Sequence, residues 1–134
     1  MKQKQTTIAL ISLGLLVILF TGCARRPGKI ELSTTEYDFG IIPNNAAVTQ
    51  VFEVRNVGAG KLDIAGVSTS CGCTTAKIDR RQLGPGETAE LAVMYDPLAH
   101  NGATGQFMRM VYVRSDDPDV PEITLTVRVT VIAL

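Results

Sequence analysis

The 134-residue chain carries 13 basic and 13 acidic side chains, so its formal net charge at neutral pH is zero. This balance argues against an electrostatic nucleic-acid binder, because such proteins carry a basic stripe or patch. We therefore expect no nucleic-acid partner.

The N-terminal segment has the three parts of a secretory signal. Lys2 and Lys4 supply positive charge, and residues 8–20 form an apolar run that is short for a membrane-spanning helix. Thr21 and Gly22 follow as small residues, directly before a cysteine. The sequence predicts a cleaved signal peptide over residues 1–22.

Residues 19–23, LFTGC, resemble the bacterial lipobox, with Phe20 in place of the usual leucine. The resemblance implies that diacylglycerol is attached to Cys23 and that cleavage occurs just before it. Each acyl chain contributes ~0.8 kcal/mol per buried CH₂, and two or three chains give a stable anchor. The alternative is an uncleaved N-terminal anchor. Both interpretations tether the protein to a membrane of the cell envelope, on the exported side of the cytoplasmic membrane or at the outer membrane.

Cleavage before Cys23 would leave 112 residues, which suits one domain. Loss of Lys2 and Lys4 would reduce the 13 basic residues to 11, against 13 acids, for a mature charge of −2. Residues 23–29 are predicted to form a lipidated tether, and residues 30–134 the folded domain.

From residue 30 onward, short runs of alternating apolar and polar residues are separated by turn residues, as in β-sandwiches. The sequence predicts an all-β, immunoglobulin-like sandwich of about seven strands. Trp is absent, and the strands that would carry an inter-sheet disulfide have no cysteine, so the domain is not of the antibody type. The first predicted strand covers residues 30–33 and continues past a break to residues 37–39. The others are residues 47–54, 61–69, 75–78, 87–95, 106–114 and 122–132, with a turn at 40–45 and a loop at 96–105.

Several short motifs resemble the bacterial domain of unknown function 1573. This resemblance implies an exported, often lipidated Ig-like domain and brings no established activity. The most specific motif is Ser-Cys-Gly-Cys-Thr at residues 70–74, and the others are YDFG at 37–40, FEVRNVG at 52–58, LDI at 62–64, PGE at 85–87, YDP at 95–97 and SDDP at 115–118.

Catalysis finds little support in the sequence. His100 is the only histidine, which rules out a two-histidine metal motif, and no Gly-x-Ser-x-Gly nucleophile elbow is present. Asp116, Asp117 and Asp119 crowd one hairpin, but their spacing fits no calcium loop, so we predict a solvated acidic turn. We do not expect an enzyme.

Cys71-Gly72-Cys73 is the motif with the clearest chemical potential. An exported compartment permits a disulfide between the two cysteines, although loop entropy for a three-residue ring gives only ~1.6 kcal/mol. A soft-metal site is the second interpretation. Thiol–disulfide exchange is the third, and it is disfavoured because the motif is not Cys-x-x-Cys.

The metal hypothesis draws in three further residues. In an Ig-like topology the third predicted strand pairs with the sixth, which would bring the cysteines beside Met108 and Met110. His100 lies in the loop that leads into that strand, so the cluster could bind Cu(I) through thiolate, thioether and imidazole. The alternatives are a solvated His100 and a partner-binding patch formed by the methionines.

We therefore expect a membrane-tethered binding or scaffolding module of the cell envelope. A protein partner would contact a sheet edge or the loop at residues 96–105. The alternative is a copper-handling protein that uses the Cys, Met and His cluster.

Overall fold

The computed structural model describes residues 25–134. The predicted signal peptide and Cys23 lie outside the described residues. Among residues 25–134, no helix is both long and apolar enough to cross a membrane. The described chain forms nine strands and one short 3-10 helix: β1 Ile30–Leu32, β2 Glu36–Pro43, β3 Val48–Asn56, β4 Leu62–Thr69, β5 Thr74–Ile78, β6 Gln82–Leu83, β7 Thr88–Tyr95, the 3-10 helix Pro97–His100, β8 Gly105–Ser115 and β9 Glu122–Ile132.

The strands form two sheets, which confirms the predicted β-sandwich. One sheet has the order β1-β3-β7-β5 and the other the order β2-β9-β8-β4-β6. All pairs are antiparallel except β2 with β9. The predicted pairing of the third and sixth strands is also confirmed, because β4 pairs with β8 through Val67 opposite Val113 and Thr69 opposite Val111.

The first predicted strand is two strands in different sheets. β1 pairs with β3, whereas β2 crosses to the other sheet and runs parallel to β9. The turn predicted at 40–45 was wrong, because β2 continues to Pro43. Gly40, with a φ of 76°, lies at a bulge in β2, where its left-handed backbone is accommodated within the strand. The two-residue β6 was not predicted.

The core forms between the inward faces of both sheets. In β7, Leu91, Val93 and Tyr95 are buried, and their neighbours face outward, which confirms the predicted alternation. The main apolar cluster joins Ile30, Leu32, Phe52, Val54, Leu62, Ile64, Leu83, Ala89, Leu91, Val93, Val111, Val113, Leu125 and Val127. Within the described residues, every member of this cluster lies at or beyond Ile30.

The sandwich has two ends of different character. The tether end comprises residues 25–29 and the turns at 57–61, 84–87 and 116–121. Residues 25–29 are bonded to the first of these turns, since Gly60 N–H donates to Pro27 O at 3.0 Å and Val57 N–H donates to Lys29 O at 2.8 Å. The cysteine end holds the turn at 70–73 and the loop at 96–104. β8 runs from the cysteine end to the tether end.

Two buried polar side chains organise the tether end. The Asn56 amide donates to Gly60 O and Leu83 O at 2.8 and 2.9 Å, and its oxygen accepts from the Lys29 and Gly58 N–H groups. This side chain therefore satisfies four backbone groups that would otherwise lack partners.

Asp117 is the second, and the predicted solvated acidic turn was wrong for this residue, whereas Asp116 and Asp119 are exposed as predicted. Asp117 is 2% exposed, and its carboxylate accepts from the N–H groups of Ile30, Asp119 and Val120 at 2.8, 2.9 and 3.2 Å. Burial alone would raise the pKa of Asp117, but these hydrogen bonds outweigh it and lower the pKa. The carboxylate ties the start of β1 to the β8–β9 turn.

Candidate functional site: the cysteine end

The cysteine turn follows β4 directly. Cys71 and Cys73 form a disulfide with Cα atoms 5.4 Å apart, within the usual range for such bonds. Thr69 Oγ1 lies 3.0 Å from Cys71 O and 2.9 Å from Thr74 O, which fixes the two sides of the turn. Gly72 lies in this turn with a φ that is not left-handed, and a Cβ added to it would meet nothing within 4 Å.

The two sulfur-bearing residues differ in exposure. Cys73 is only 2% exposed and packs in a second apolar cluster with Ile42, Tyr95, Val129 and Val131. Cys71 is half-buried at the surface of the same cluster. Solvent and partners therefore reach the disulfide from the Cys71 side.

Arg109 is a candidate site residue that was not predicted from the sequence. Its Nε donates to Cys73 Sγ at 3.0 Å, and its Nη1 donates to Met108 O at 2.8 Å. The guanidinium carbon lies 5.1 Å from the centroid of the Phe107 ring, a favourable cation–π distance. The signal was present in the alternation, since Arg109 shares the inward face of β8 with Phe107 and Val111.

His100 is brought to the cysteines by the 3-10 helix. Asp96 caps this helix, accepting from Leu98 N–H at 2.9 Å, while its own N–H donates to Cys73 O at 2.8 Å. The helix therefore begins on the cysteine turn and ends at His100. A ring nitrogen of His100 and the sulfur atoms of Cys71 and Cys73 all lie within 4.8 Å of one another.

Met108 and Met110 do not join this group. Side chains alternate along a strand, and Arg109 faces the cysteines, so the two methionines face the opposite side of β8. Met108 is 52% exposed and lies opposite Arg128, while Met110 Sδ accepts from Tyr112 Oη at 3.3 Å. The predicted pairing brought Met110 next to the turn along the backbone, but the pleat directs its side chain away.

Tyr95 adds a polar group without a partner. Its hydroxyl is buried and makes no hydrogen bond within residues 25–134. Burial raises the pKa of this phenol, and the nearby Arg109 charge opposes that shift. Its ring lies beside Phe107, with centroids 6.3 Å apart.

The chemistry available here depends on the state of the sulfur atoms. In the disulfide form Cys71 and Cys73 offer no thiolate. After reduction they would offer two thiolates beside one imidazole, a soft donor set with a guanidinium against the buried sulfur. These groups have the chemistry that a soft-metal site or a thiol–disulfide exchange site requires.

Comparison with known proteins first gives a family. The family model described as protein of unknown function (DUF1573) matches residues 30–131, which is the whole sandwich and the cysteine motif. No curated protein matches the chain.

Solved structures share the fold. A protein of unknown function from Porphyromonas gingivalis W83 has a TM-score of 0.72 and 28% identity over 82% of this chain, which spans 50% of that protein. The ASH/PapD-like domain 7 of human CEP192 has a TM-score of 0.61 and 10% identity, covering 79% of this chain and 87% of that one. The E. coli chaperone DraB has a TM-score of 0.52 and 11% identity, covering 79% and 56%. The last two likenesses show the sandwich fold alone.

Proposed function

The chain belongs to the DUF1573 family of proteins of unknown function, and from the geometry of its cysteine end we propose that it is a non-enzymatic, lipid-anchored binding module of the cell envelope whose ligand is Cu(I). The ligands are the Cys71 and Cys73 thiolates and the His100 imidazole, and they are available when the disulfide is reduced. Met108 and Met110, which the sequence suggested as further Cu(I) ligands, are not part of this proposed site because their side chains face away from the sulfur atoms.

One observation carries this proposal. The donor atoms of Cys71, Cys73 and His100 lie within 4.8 Å of one another, although His100 is 27 positions from Cys73 in the sequence. The His100 side chain is exposed, as the solvated alternative predicts, yet its ring nitrogen lies close to both sulfur atoms. Here the capped 3-10 helix, bonded to Cys73 O, holds it against the cysteines.

The donor set and its surroundings favour Cu(I). Thiolates are soft ligands and suit this soft ion, and imidazole also binds copper. Two thiolates with one Cu(I) carry a net negative charge, which is expensive to place beside an apolar cluster. The Arg109 guanidinium, 3.0 Å from Cys73 Sγ, can neutralise that charge.

The position of the site suits an anchored module. A lipid on Cys23 would hold the tether end near the membrane. β8 contains 11 residues and runs between the two ends, so roughly 35 Å separate them along the strand. The cysteine end would then point away from the membrane, where a soluble copper donor or acceptor can reach it.

Native mass spectrometry of the chain from Ala24, which retains the whole core, tests the proposal. The protein is reduced, freed of reductant and given Cu(I) in the presence of a competing chelator. We expect one retained copper per chain, and none in the Cys71→Ser/Cys73→Ser variant. Equal retention by that variant, or preference for Zn²⁺ over Cu(I), would contradict the copper assignment.

Two further variants separate the ligands from their neighbours. His100→Ala should weaken Cu(I) binding by roughly tenfold or more, because it removes one donor. Met108→Leu/Met110→Leu should bind copper as the wild type does, because these thioethers lie on the other face. Loss of binding in the methionine variant would restore them as ligands.

A second candidate function is the docking of an envelope protein on the methionine face, which we define as Ile41, Met108, Met110 and Arg128. Ile41 is 72% and Met108 52% exposed, and outward positions of a sheet are normally polar. Methionine suits adaptable contacts. Met108→Glu should reduce capture of an envelope protein, whereas Thr124→Glu on the same sheet should not; equal capture by both variants would count against this face.

A further inference from the structure

The Cys71–Cys73 disulfide presents its two sulfur atoms unequally. Cys73 is 2% exposed within the apolar cluster, whereas Cys71 is half-buried and borders solvent. An incoming thiolate must attack a sulfur atom along the axis of the S–S bond, and Cys71 is the more exposed of the two residues. Attack at Cys71 makes Cys73 the leaving group.

Cys73 is equipped for that role. A cation beside a sulfur atom stabilises the thiolate that forms on it when the S–S bond breaks. Arg109 Nε points at Cys73 Sγ from 3.0 Å, and the guanidinium is held there by Met108 O and by the Phe107 ring. The Thr74 hydroxyl lies 3.7 Å from Cys73 Sγ and 3.9 Å from Cys71 Sγ, so the asymmetry between the two sulfur atoms comes from Arg109.

From this asymmetry we propose that the cysteine end is a directional thiol–disulfide exchange site, opened at Cys71 by a dithiol partner protein, with Arg109 stabilising the Cys73 thiolate that leaves. Exchange needs no metal, so this activity goes beyond copper binding and stands without it. Thiol–disulfide exchange would also determine whether Cys71 and Cys73 are reduced and therefore able to bind any other ligand.

The step balances as a two-electron transfer. A partner thiolate attacks Cys71 Sγ, forming a mixed disulfide, and the electron pair of the broken S–S bond goes to Cys73 Sγ. The second partner thiol, as a thiolate, attacks the partner's own sulfur in the mixed disulfide and releases the Cys71 thiolate. The partner dithiol is oxidised to a disulfide, and Cys71 and Cys73 are reduced and take up the two protons.

The spacing of the motif sets the direction of the reverse reaction as well. A mixed disulfide at Cys71 leaves the Cys73 thiolate only two residues away, with the Cys73 N–H already donating to Cys71 Sγ at 3.3 Å. Cys73 can therefore act as the resolving thiolate that expels the partner. Cys71 is the residue that contacts the partner in both directions.

Reduction kinetics of the oxidised wild-type chain from Ala24 test the role of Arg109. Dithiothreitol is the probe, a chelator removes copper, and alkylation followed by intact mass reports the disulfide. Arg109→Leu should slow reduction by roughly tenfold. Arg114→Leu is the matched control, because it removes the same charge from the outward face of β8, where Arg114 pairs with Glu122 at the surface, and should leave the rate unchanged.

Arg109→Lys distinguishes charge from packing. It keeps a cation near Cys73, so its rate should lie closer to the wild type than to Arg109→Leu. Thermal unfolding of each oxidised variant verifies that the fold is intact. A rate for Arg109→Leu equal to that of the wild type, or for Arg109→Lys as slow as that of Arg109→Leu, would overturn the role of Arg109.

Trapping tests the direction of attack. With oxidised glutathione, Cys73→Ser should form a mixed disulfide at Cys71 quickly, whereas Cys71→Ser should react at least about tenfold more slowly because Cys73 is buried. If the serine variants unfold, peptide mapping of the wild type quenched during glutathione reduction replaces them. Glutathione found mainly on Cys73 would overturn the proposal. Neither arm uses copper, so failure of the copper proposal leaves this test intact.

Discussion

The two ends of this sandwich use polar groups in opposite ways. At the tether end, the buried side chains of Asn56 and Asp117 have all their bonding capacity directed at backbone groups of the same end. At the cysteine end, the Tyr95 hydroxyl is buried without a hydrogen-bond partner among residues 25–134, and the Arg109 guanidinium donates to a sulfur atom. Both ends belong to one fold and one core.

From this difference we infer that the tether end is structural and that the cysteine end is the functional site. A buried polar network in which every group has a partner rigidifies a fold. A buried polar group without a partner lowers stability, so its retention needs another reason. Departures of this kind are expected at functional sites. Mutations at the tether end should therefore lower stability, and mutations at the cysteine end should alter chemistry with little loss of stability.

The largest stability effect is expected for Asp117→Ala. The substitution leaves the N–H groups of Ile30, Asp119 and Val120 without their acceptor, and we expect a loss of about 3 kcal/mol in the free energy of unfolding. Urea unfolding followed by circular dichroism measures it. Asp119→Ala is the control, because that exposed carboxylate pairs only with Lys29 at the surface and should change little. Equal losses in the two variants would remove the contrast between buried and exposed acids.

The same carboxylate should make stability depend on pH. The pKa of Asp117 is lower in the folded than in the unfolded chain, where about 3.9 is normal. Its contribution is therefore complete above about pH 4 and is lost as the pH falls through the folded pKa. The difference in unfolding free energy between the wild type and Asp117→Asn should shrink below about pH 4, and a constant difference down to pH 2.5 would contradict this account.

Much of the fold could be predicted because burial imposes a period of two on the strands. The alternation in β7, β8 and β9 gave both the strands and their inward faces. The strand predictions were wrong where the backbone departs from a regular continuous strand, because the alternation of side chains does not encode such departures. Gly40 was accommodated in a bulge within β2, and the first strand divided between the sheets because its two halves bury different faces.

The candidate site could be predicted only in part. Strand pairing correctly brought the cysteine turn beside β8, but the pleat decided that Arg109, not Met108 or Met110, faces it. The position of His100 depends on the 3-10 helix. The capping of this helix by Asp96 is a local contact, but the hydrogen bond from Asp96 N–H to Cys73 O is a tertiary contact, which local sequence does not encode. Asp117 was mistaken for a solvated acid because its three donors come from a turn and from a strand 87 positions away.

A smaller effect is expected when the disulfide is reduced. A ring closed by three residues removes little entropy from the unfolded chain, so reduction should lower the free energy of unfolding by at most ~1.6 kcal/mol. Urea unfolding with and without a phosphine reductant measures this difference, and Cys71→Ser/Cys73→Ser should be insensitive to the reductant. A loss as large as that of Asp117→Ala would make the disulfide a structural element and weaken the contrast between the ends.

The smallest effect, and one of opposite sign, is expected for Tyr95→Phe. Removing a buried hydroxyl that has no partner should leave stability unchanged or raise it by up to about 1 kcal/mol. Tyr112→Phe is the control, because it removes a hydroxyl that does have a partner, Met110 Sδ, and should cause a slight loss. A loss above about 1 kcal/mol for Tyr95→Phe would mean that the hydroxyl is satisfied after all. A Tyr95→Phe variant that is more stable but exchanges disulfides more slowly would show that the hydroxyl serves the chemistry of the cysteine end and lowers the stability of the fold.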